Sequence, residues 1–119
     1  MSRFPAWVYD AGREPDPRFS LANERTLLAW IRTGLGLFAL GAASLAVDLG
    51  LGGAGRVVVV AALGLAGAVA IGLGWSTWAL TERRLRLQEP LPGAGGTAVL
   101  TGVIVVALVA VTVTAWTAA

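Results

Sequence analysis

Arginine side chains offer the clearest chemistry in this sequence, because all nine basic residues are arginine. Arg18, Arg25 and Arg32 are seven residues apart, which places them close to one stripe of a helix. Small residues continue that stripe, including Gly36 and Ala43. A guanidinium group is permanently charged and donates hydrogen bonds in a geometry that suits phosphate. We therefore expect Arg25 and Arg32 to bind phosphate-type anions or lipid headgroups.

Arg32 is the only charged residue in the apolar stretch 27–47. An arginine in the middle of a membrane costs about 2.5–3.5 kcal/mol on insertion scales, and less where its side chain can reach the headgroups. Two interpretations stay open. Either Arg32 extends to the nearby headgroups, or it faces a protein interior or a water-filled path.

A second basic cluster, made of Arg83, Arg84 and Arg86, is also a candidate for binding anions or headgroups. Glu82 precedes Arg86 by four residues, which is the spacing of an ion pair on a helix. We expect Glu24 to form a structural ion pair with Arg83 or Arg84, since all three lie where their helices enter the membrane.

Catalytic chemistry is not supported by the residue types present. The sequence has no cysteine and no histidine, which excludes thiolate nucleophiles, structural zinc and imidazole acid–base catalysis. No pair of carboxylates has a convincing site. The sequence therefore predicts no enzyme, no metal site and no cofactor. Within the first 26 residues, the negative charges of the acidic residues balance the positive charges of the arginines. A nucleic acid partner is therefore not expected.

Three long apolar stretches must carry these residues. They are 27–47, 57–80 and 98–116, and each is long enough for a membrane-spanning helix, which needs roughly 20 residues. Charged residues make up 13% of the chain, against about 25% in a soluble domain. We predict an all-α membrane protein with three transmembrane helices per protomer. Residues 1–16 form a cytoplasmic N-terminal segment, and 17–119 form the membrane domain.

Local signals give the helix ends. Asp16 and Pro17 predict the start of the first long helix, with Asp16 as its N-cap. The second helix is expected from near Arg56 to about residue 88, and Thr97 is a candidate cap for the third. The loop 50–55 matches the spacing of a dinucleotide-binding motif, but it joins two membrane spans and is predicted to be a turn.

Orientation follows from the arginines near the span ends. Four lie before the first span and three after the second, whereas Arg56 alone lies on the other side. Since basic residues concentrate on the cytoplasmic side, the N-terminus is expected in the cytoplasm and the C-terminus outside.

Helix packing is indicated by small residues at every fourth position of the second span. Gly64, Ala68 and Gly72 belong to this series, and Gly36 and Ala43 are candidates on the first span. Such spacing allows helix backbones to approach closely. The second span is so rich in glycine and alanine that composition alone also explains the pattern.

Residues 16–33, DPRFSLANERTLLAWIRT, closely resemble the signature of the YidH family. These are small proteins of the bacterial inner membrane, which is the location that the resemblance implies, as a multi-pass protein. The family's membrane domain is similar to that of vacuolar transporter chaperone complexes, where a basic path exports polyphosphate. By that resemblance Arg25 lines the path, and Arg83, Arg84 and Arg86 lie at its cytoplasmic mouth. Those complexes carry a non-basic residue at the position of Arg32, and their polymerase domain is not expected in this protein.

The sequence is consistent with two functions. In the first, several copies assemble into a homo-oligomeric conduit for phosphate-type anions, lined by Arg25 and Arg32. In the second, the protein is a non-conducting adaptor or assembly subunit, and its Arg/Glu cluster binds lipid headgroups or a partner protein. The conduit predicts that Arg25 and Arg32 are unpaired and face a symmetry axis. The adaptor predicts that they pair with Glu24 or Glu82 within one protomer.

Overall fold

The fold is built from helices, and the computed structural model describes residues 3–118. A short helix, α1, spans Ala6–Tyr9, and the three long helices are α2 (Pro17–Ala46), α3 (Gly52–Leu87) and α4 (Gly95–Ala118). Each long helix is long and apolar enough to cross a membrane. The all-helical architecture with three candidate spans is therefore confirmed.

The helix boundaries follow the predicted signals in part. The α2 helix begins at Pro17, as predicted, and an Asp16 carboxylate oxygen accepts a hydrogen bond from the Arg18 backbone N–H at 2.9 Å. The α3 helix begins at Gly52, four residues before the expected start at Arg56. The α4 helix begins at Gly95, before its expected cap at Thr97. In both cases the glycines of the linker form the first helical turn instead of a flexible loop.

The α2 and α3 helices approach closely through glycines. A Cβ atom built on Gly34 would lie 2.8 Å from the carbonyl oxygen of Gly67, and one on Gly67 would lie 2.7 Å from the carbonyl oxygen of Gly34. A Cβ atom on Gly74 would likewise overlap the Trp30 side chain. These distances leave no room for a side chain, so the backbones contact one another directly.

The small residues predicted to pack helices together do not lie at this contact between α2 and α3. A Cβ on Gly36 or Gly72 would meet no atom within 4 Å, and one on Gly64 would reach only the Phe38 ring at 3.8 Å. Ala43 and Ala68 are exposed. Within one chain the prediction is wrong in its register, because the face of α3 that meets α2 carries Gly67 and Gly74 rather than the series through Gly64.

The α4 helix packs against α3 and leaves most of its surface open. Ala107 is its buried residue, in a core with Leu37, Val59, Leu63 and Ala66. The start of α4 lies near the end of α3, and its end lies near the start of α3, as in an antiparallel pair. The exposed residues of α4 are mostly apolar and carry no charge, as expected of a surface that contacts lipid.

Candidate functional site

Arg25 and Arg32 lie on the face of α2 that points away from α3. The buried residues of α2 include Asn23 and Trp30, which face α3. Arg25 lies two residues after Asn23, and Arg32 lies two residues after Trp30. A step of two residues is a rotation of about 200° around the helix. Both arginines are exposed. We call this side of the helix the outer face of α2.

The outer face of α2 has three columns with a seven-residue repeat. The arginine column consists of Arg18, Arg25 and Arg32; the leucine column of Leu21, Leu28 and Leu35; and the small-residue column of Ala22, Ala29, Gly36 and Ala43. All of these residues are exposed, and the leucines are each more than half exposed. A seven-residue repeat on an uncovered helix face is typical of helices that pack on one another in a left-handed arrangement. The arginine column is evident from the sequence, whereas the leucine column is not, because leucine is common on every face of a membrane helix.

The expected ion pairs of Glu24 are absent from the described part of the chain. Ion pairs among residues 3–118 join Arg3 to Glu14, Arg18 to Asp16, and Arg86 to Glu14. Glu24 is exposed and belongs to none of them.

The two arginines that were expected to reach Glu24 point to backbone oxygens instead. Arg83 donates to the carbonyl oxygen of Trp7 at 2.7 Å, and Arg84 donates to that of Pro90 at 3.2 Å. Pairing of Arg25 or Arg32 with Glu24 or Glu82 is likewise absent among the described residues.

Glu82 is a buried carboxylate held by neutral donors. It is 4% exposed and accepts hydrogen bonds from the Ser20 hydroxyl at 2.8 Å and the Asn23 amide at 3.4 Å. The same amide also donates to the Trp78 carbonyl oxygen at 3.0 Å. The predicted ion pair with Arg86 is wrong, because Glu82 faces α2 whereas Arg86 faces the N-terminal segment. The role of Asn23 was not predicted from the sequence, although its spacing from Ser20 puts both residues on one helix face.

Arg86 holds the N-terminal segment in place. Its side chain is 6% exposed, its Nε donates to the Ala11 carbonyl oxygen at 2.9 Å, and one terminal nitrogen lies 3.6 Å from a Glu14 oxygen. Gly12 has a φ of +51°, and a Cβ there would overlap the Arg86 carbonyl oxygen. Arg86 therefore does not offer its guanidinium to a mobile anion, contrary to the predicted mouth.

The charges of the N-terminal segment are largely satisfied locally. The hydrogen bonds from Arg3 lower the pKa of the Glu14 carboxyl, and those from Arg18 lower the pKa of Asp16. The Arg3 guanidinium also lies 4.5 Å from the centre of the Tyr9 ring. Arg25 and Arg32 differ from these arginines, since no hydrogen bond or ion pair occupies their side chains among residues 3–118.

A metal centre is not formed by residues 3–118, where no three aspartate, glutamate, histidine or cysteine side chains lie close together. The exposed arginines of α2 can attract anions, and the buried Glu82 network can hold α2 against α3. These two arrangements are the chemistry that the described residues provide.

The fold and the apolar helices define a small multi-pass membrane protein with an arginine-rich end. Residues 18–84 match the family described as "Domain of unknown function (DUF202)". The chain is 37% identical over 102 residues to inner membrane protein YidH of Escherichia coli (strain K12), covering 84% of this chain and 88% of that protein. It is 44% identical over 81 residues to protein Rv2272 of Mycobacterium tuberculosis (strain ATCC 25618 / H37Rv), covering 66% of each. No solved structure matches the chain.

The chain belongs to the YidH family, which carries the DUF202 domain. The resemblance seen in residues 16–33 is thereby confirmed, as is the location in the bacterial inner membrane with several spans. The relation to vacuolar transporter chaperone complexes and the direction of the chain across the membrane stay predictions.

Proposed function

We propose that several copies of this protein assemble in the inner membrane into a conduit for phosphate-type anions, lined by Arg25 and Arg32. One observation carries this proposal. Both arginines are exposed on the outer face of α2, on the side opposite to α3, and form no ion pair among residues 3–118. A charge in that position needs water, an anion, lipid headgroups or another protein around it.

The position of Arg32 makes lipid an unfavourable surrounding. It lies five residues into the apolar stretch, a depth of roughly 7–8 Å at the helical rise. A central, water-filled axis removes that cost. Rings of basic side chains also attract anions, as they do in anion and phosphate pores.

The columns beside the arginines supply a means of assembly. The leucine column and the small-residue column lie on opposite sides of the arginine column, so leucines of one copy can pack against alanines and Gly36 of the next. An interface between two different surfaces closes into a ring when the rotation between copies allows it. The arginine column of each copy then faces the centre of that ring.

The second candidate is a non-conducting assembly subunit or adaptor. The observation that favours it concerns Arg83, Arg84 and Arg86, whose guanidinium groups contact backbone carbonyls of this chain and hold segments together. In that function, Arg25 and Arg32 bind lipid headgroups or a partner protein. The two candidates differ in whether anything crosses the membrane.

A flux assay separates the candidates. The purified protein is placed in liposomes, and uptake of radioactive phosphate and of short polyphosphate is compared with protein-free liposomes. We expect uptake by the native chain and a loss of about tenfold in Arg32→Ala and Arg25→Ala, because every copy in the ring loses a charge. Arg56→Ala is the matched control, since Arg56 lies near the opposite end of the helices.

Two results would reject the conduit. Uptake by the native chain equal to that of empty liposomes would favour the adaptor. An equal loss in Arg56→Ala and Arg32→Ala would show that the arginine column has no special role.

A further inference from the structure

The N-terminal segment folds back along α3 toward the membrane. The carbonyl oxygen of Ala11 accepts a hydrogen bond from Arg86, whereas the Phe4 ring stacks on Trp75 with 6.4 Å between ring centres. From residue 86 to residue 75, α3 rises by about 16 Å. Trp75 lies within the apolar stretch 57–80, five residues from its end. The segment therefore places Phe4 beside Trp75, about five residues inside the end of the apolar stretch.

The rings along this path are exposed. Phe4 is 82% exposed, Trp7 is 53% exposed and Trp75 is 45% exposed. Exposed aromatic rings that lie against one another, as Phe4 and Trp75 do, are unusual on a surface that meets water and mark a place of contact. At the boundary between headgroups and hydrocarbon, the same rings are in the surroundings that aromatic side chains favour.

The rest of the segment is fixed to the protein. Val8 is fully buried against Trp78 and Ala79, and Arg83 donates a hydrogen bond to the Trp7 carbonyl oxygen at 2.7 Å. The backbone is thus held while Phe4 and Trp7 point outward. An anchored backbone with outward rings costs little conformational entropy when those rings enter another phase.

We propose that residues 3–8 are an interfacial membrane anchor, in which Phe4 and Trp7 insert among the phospholipids of the leaflet at the arginine-rich end. The occupant is phospholipid for two reasons. The exposed rings continue the lipid-facing surface of α3 through Trp75. The Arg83 guanidinium lies 5.9 Å from the centre of the Trp7 ring, where it can also meet a lipid phosphate.

This anchor is independent of the proposed conduit, because it needs neither assembly nor transport. It assigns a membrane contact to residues that the sequence placed in a cytoplasmic segment. It also fixes the depth of α3, since the segment is tied to that helix at Trp75, Arg83 and Arg86.

Spin labels test the depth of the segment. The native chain has no cysteine, so Phe4→Cys, Trp7→Cys, Asp10→Cys and Gln88→Cys each carry one label. In nanodiscs of phosphatidylethanolamine and phosphatidylglycerol, collision rates with oxygen and with a water-soluble nickel chelate are measured. Oxygen concentrates in the bilayer and the chelate in water. We expect a higher ratio of oxygen to chelate collisions at positions 4 and 7 than at the controls, positions 10 and 88.

Two separate labelled positions are used because each label replaces one of the aromatic rings under test. Labelling position 4 removes one ring but leaves Trp7, and labelling position 7 leaves Phe4. A raised ratio at either position supports the anchor. The proposal is overturned if both positions give the same ratio as position 10 or a lower one.

Discussion

Single glycines decide how closely the two longest helices approach. Gly34 and Gly67 face one another with their backbones in contact, and Gly74 receives the Trp30 side chain. Gly72 lies on the same helix but faces open space. This contrast lets one glycine serve as the control for another.

Gly67→Ala is expected to destabilise the fold, because the added methyl group would lie 2.7 Å from the Gly34 carbonyl oxygen and the helices would have to separate. Overpacking of this kind typically costs about 1–3 kcal/mol. Thermal unfolding in detergent measures the effect, and Gly72→Ala, which meets no atom within 4 Å, should change it little. Equal melting temperatures for the two variants would contradict the α2–α3 contact.

Charged residues at the arginine-rich end show that spacing alone does not choose partners. Glu82 and Arg86 are four residues apart, yet Glu82 binds Ser20 and Asn23 while Arg86 binds Ala11. A buried carboxylate needs hydrogen-bond donors around it. Side chains of α2 provide those donors to Glu82, and Arg86 does not. The two side chains point in different directions because each forms hydrogen bonds with a different neighbouring segment.

At the scale of the helices, the outer face of α2 is the feature that most needs a partner. Its leucine and small-residue columns are exposed over more than two turns, and no helix of the described chain covers them. An assembled ring would bring Leu28 of one copy against Ala29 of the next. This arrangement places the two residues of one contact on two different copies.

Cysteine cross-linking is expected to detect that contact. The double variant Leu28→Cys and Ala29→Cys should form a ladder of covalent oligomers on oxidation, because each copy offers one partner to each neighbour. The single variants Leu28→Cys and Ala29→Cys are matched controls and should stay mostly monomeric on denaturing gels. The native chain contributes no background, since it has no cysteine. Ladders of equal strength from the single variants would contradict the proposed pairing of columns.

At the scale of the whole molecule, the described helices give the protein two unlike ends. One end carries the N-terminal segment and the arginines in the last turns of α3, whereas the other carries Arg56 and Ala118. Basic residues remain on the cytoplasmic side of bacterial inner membranes. The arginine-rich end is therefore expected in the cytoplasm.

Labelling from one side of the membrane checks this orientation. In right-side-out vesicles, a membrane-impermeant thiol reagent should label Thr117→Cys without lysis and Gln88→Cys only after lysis. Both positions are exposed, so access across the membrane decides the result. The reverse pattern would place the N-terminus outside and would exclude the expected orientation.

The sequence by itself determined the three apolar helices, the start of α2 at Pro17 and the family, because these depend on local hydrophobicity, capping and a long continuous motif. It also located the arginine column, since a seven-residue spacing maps directly onto a helix surface.

Only the tertiary structure decided which glycines meet, which donors surround Glu82, and that the N-terminal segment binds Arg83 and Arg86. Those contacts join residues more than 30 positions apart, and they depend on the rotation of each helix about its own axis. The spacing of residues along a helix does not depend on how the helix is rotated against its neighbours. A residue pattern alone therefore does not determine that rotation, which is set when the helices pack.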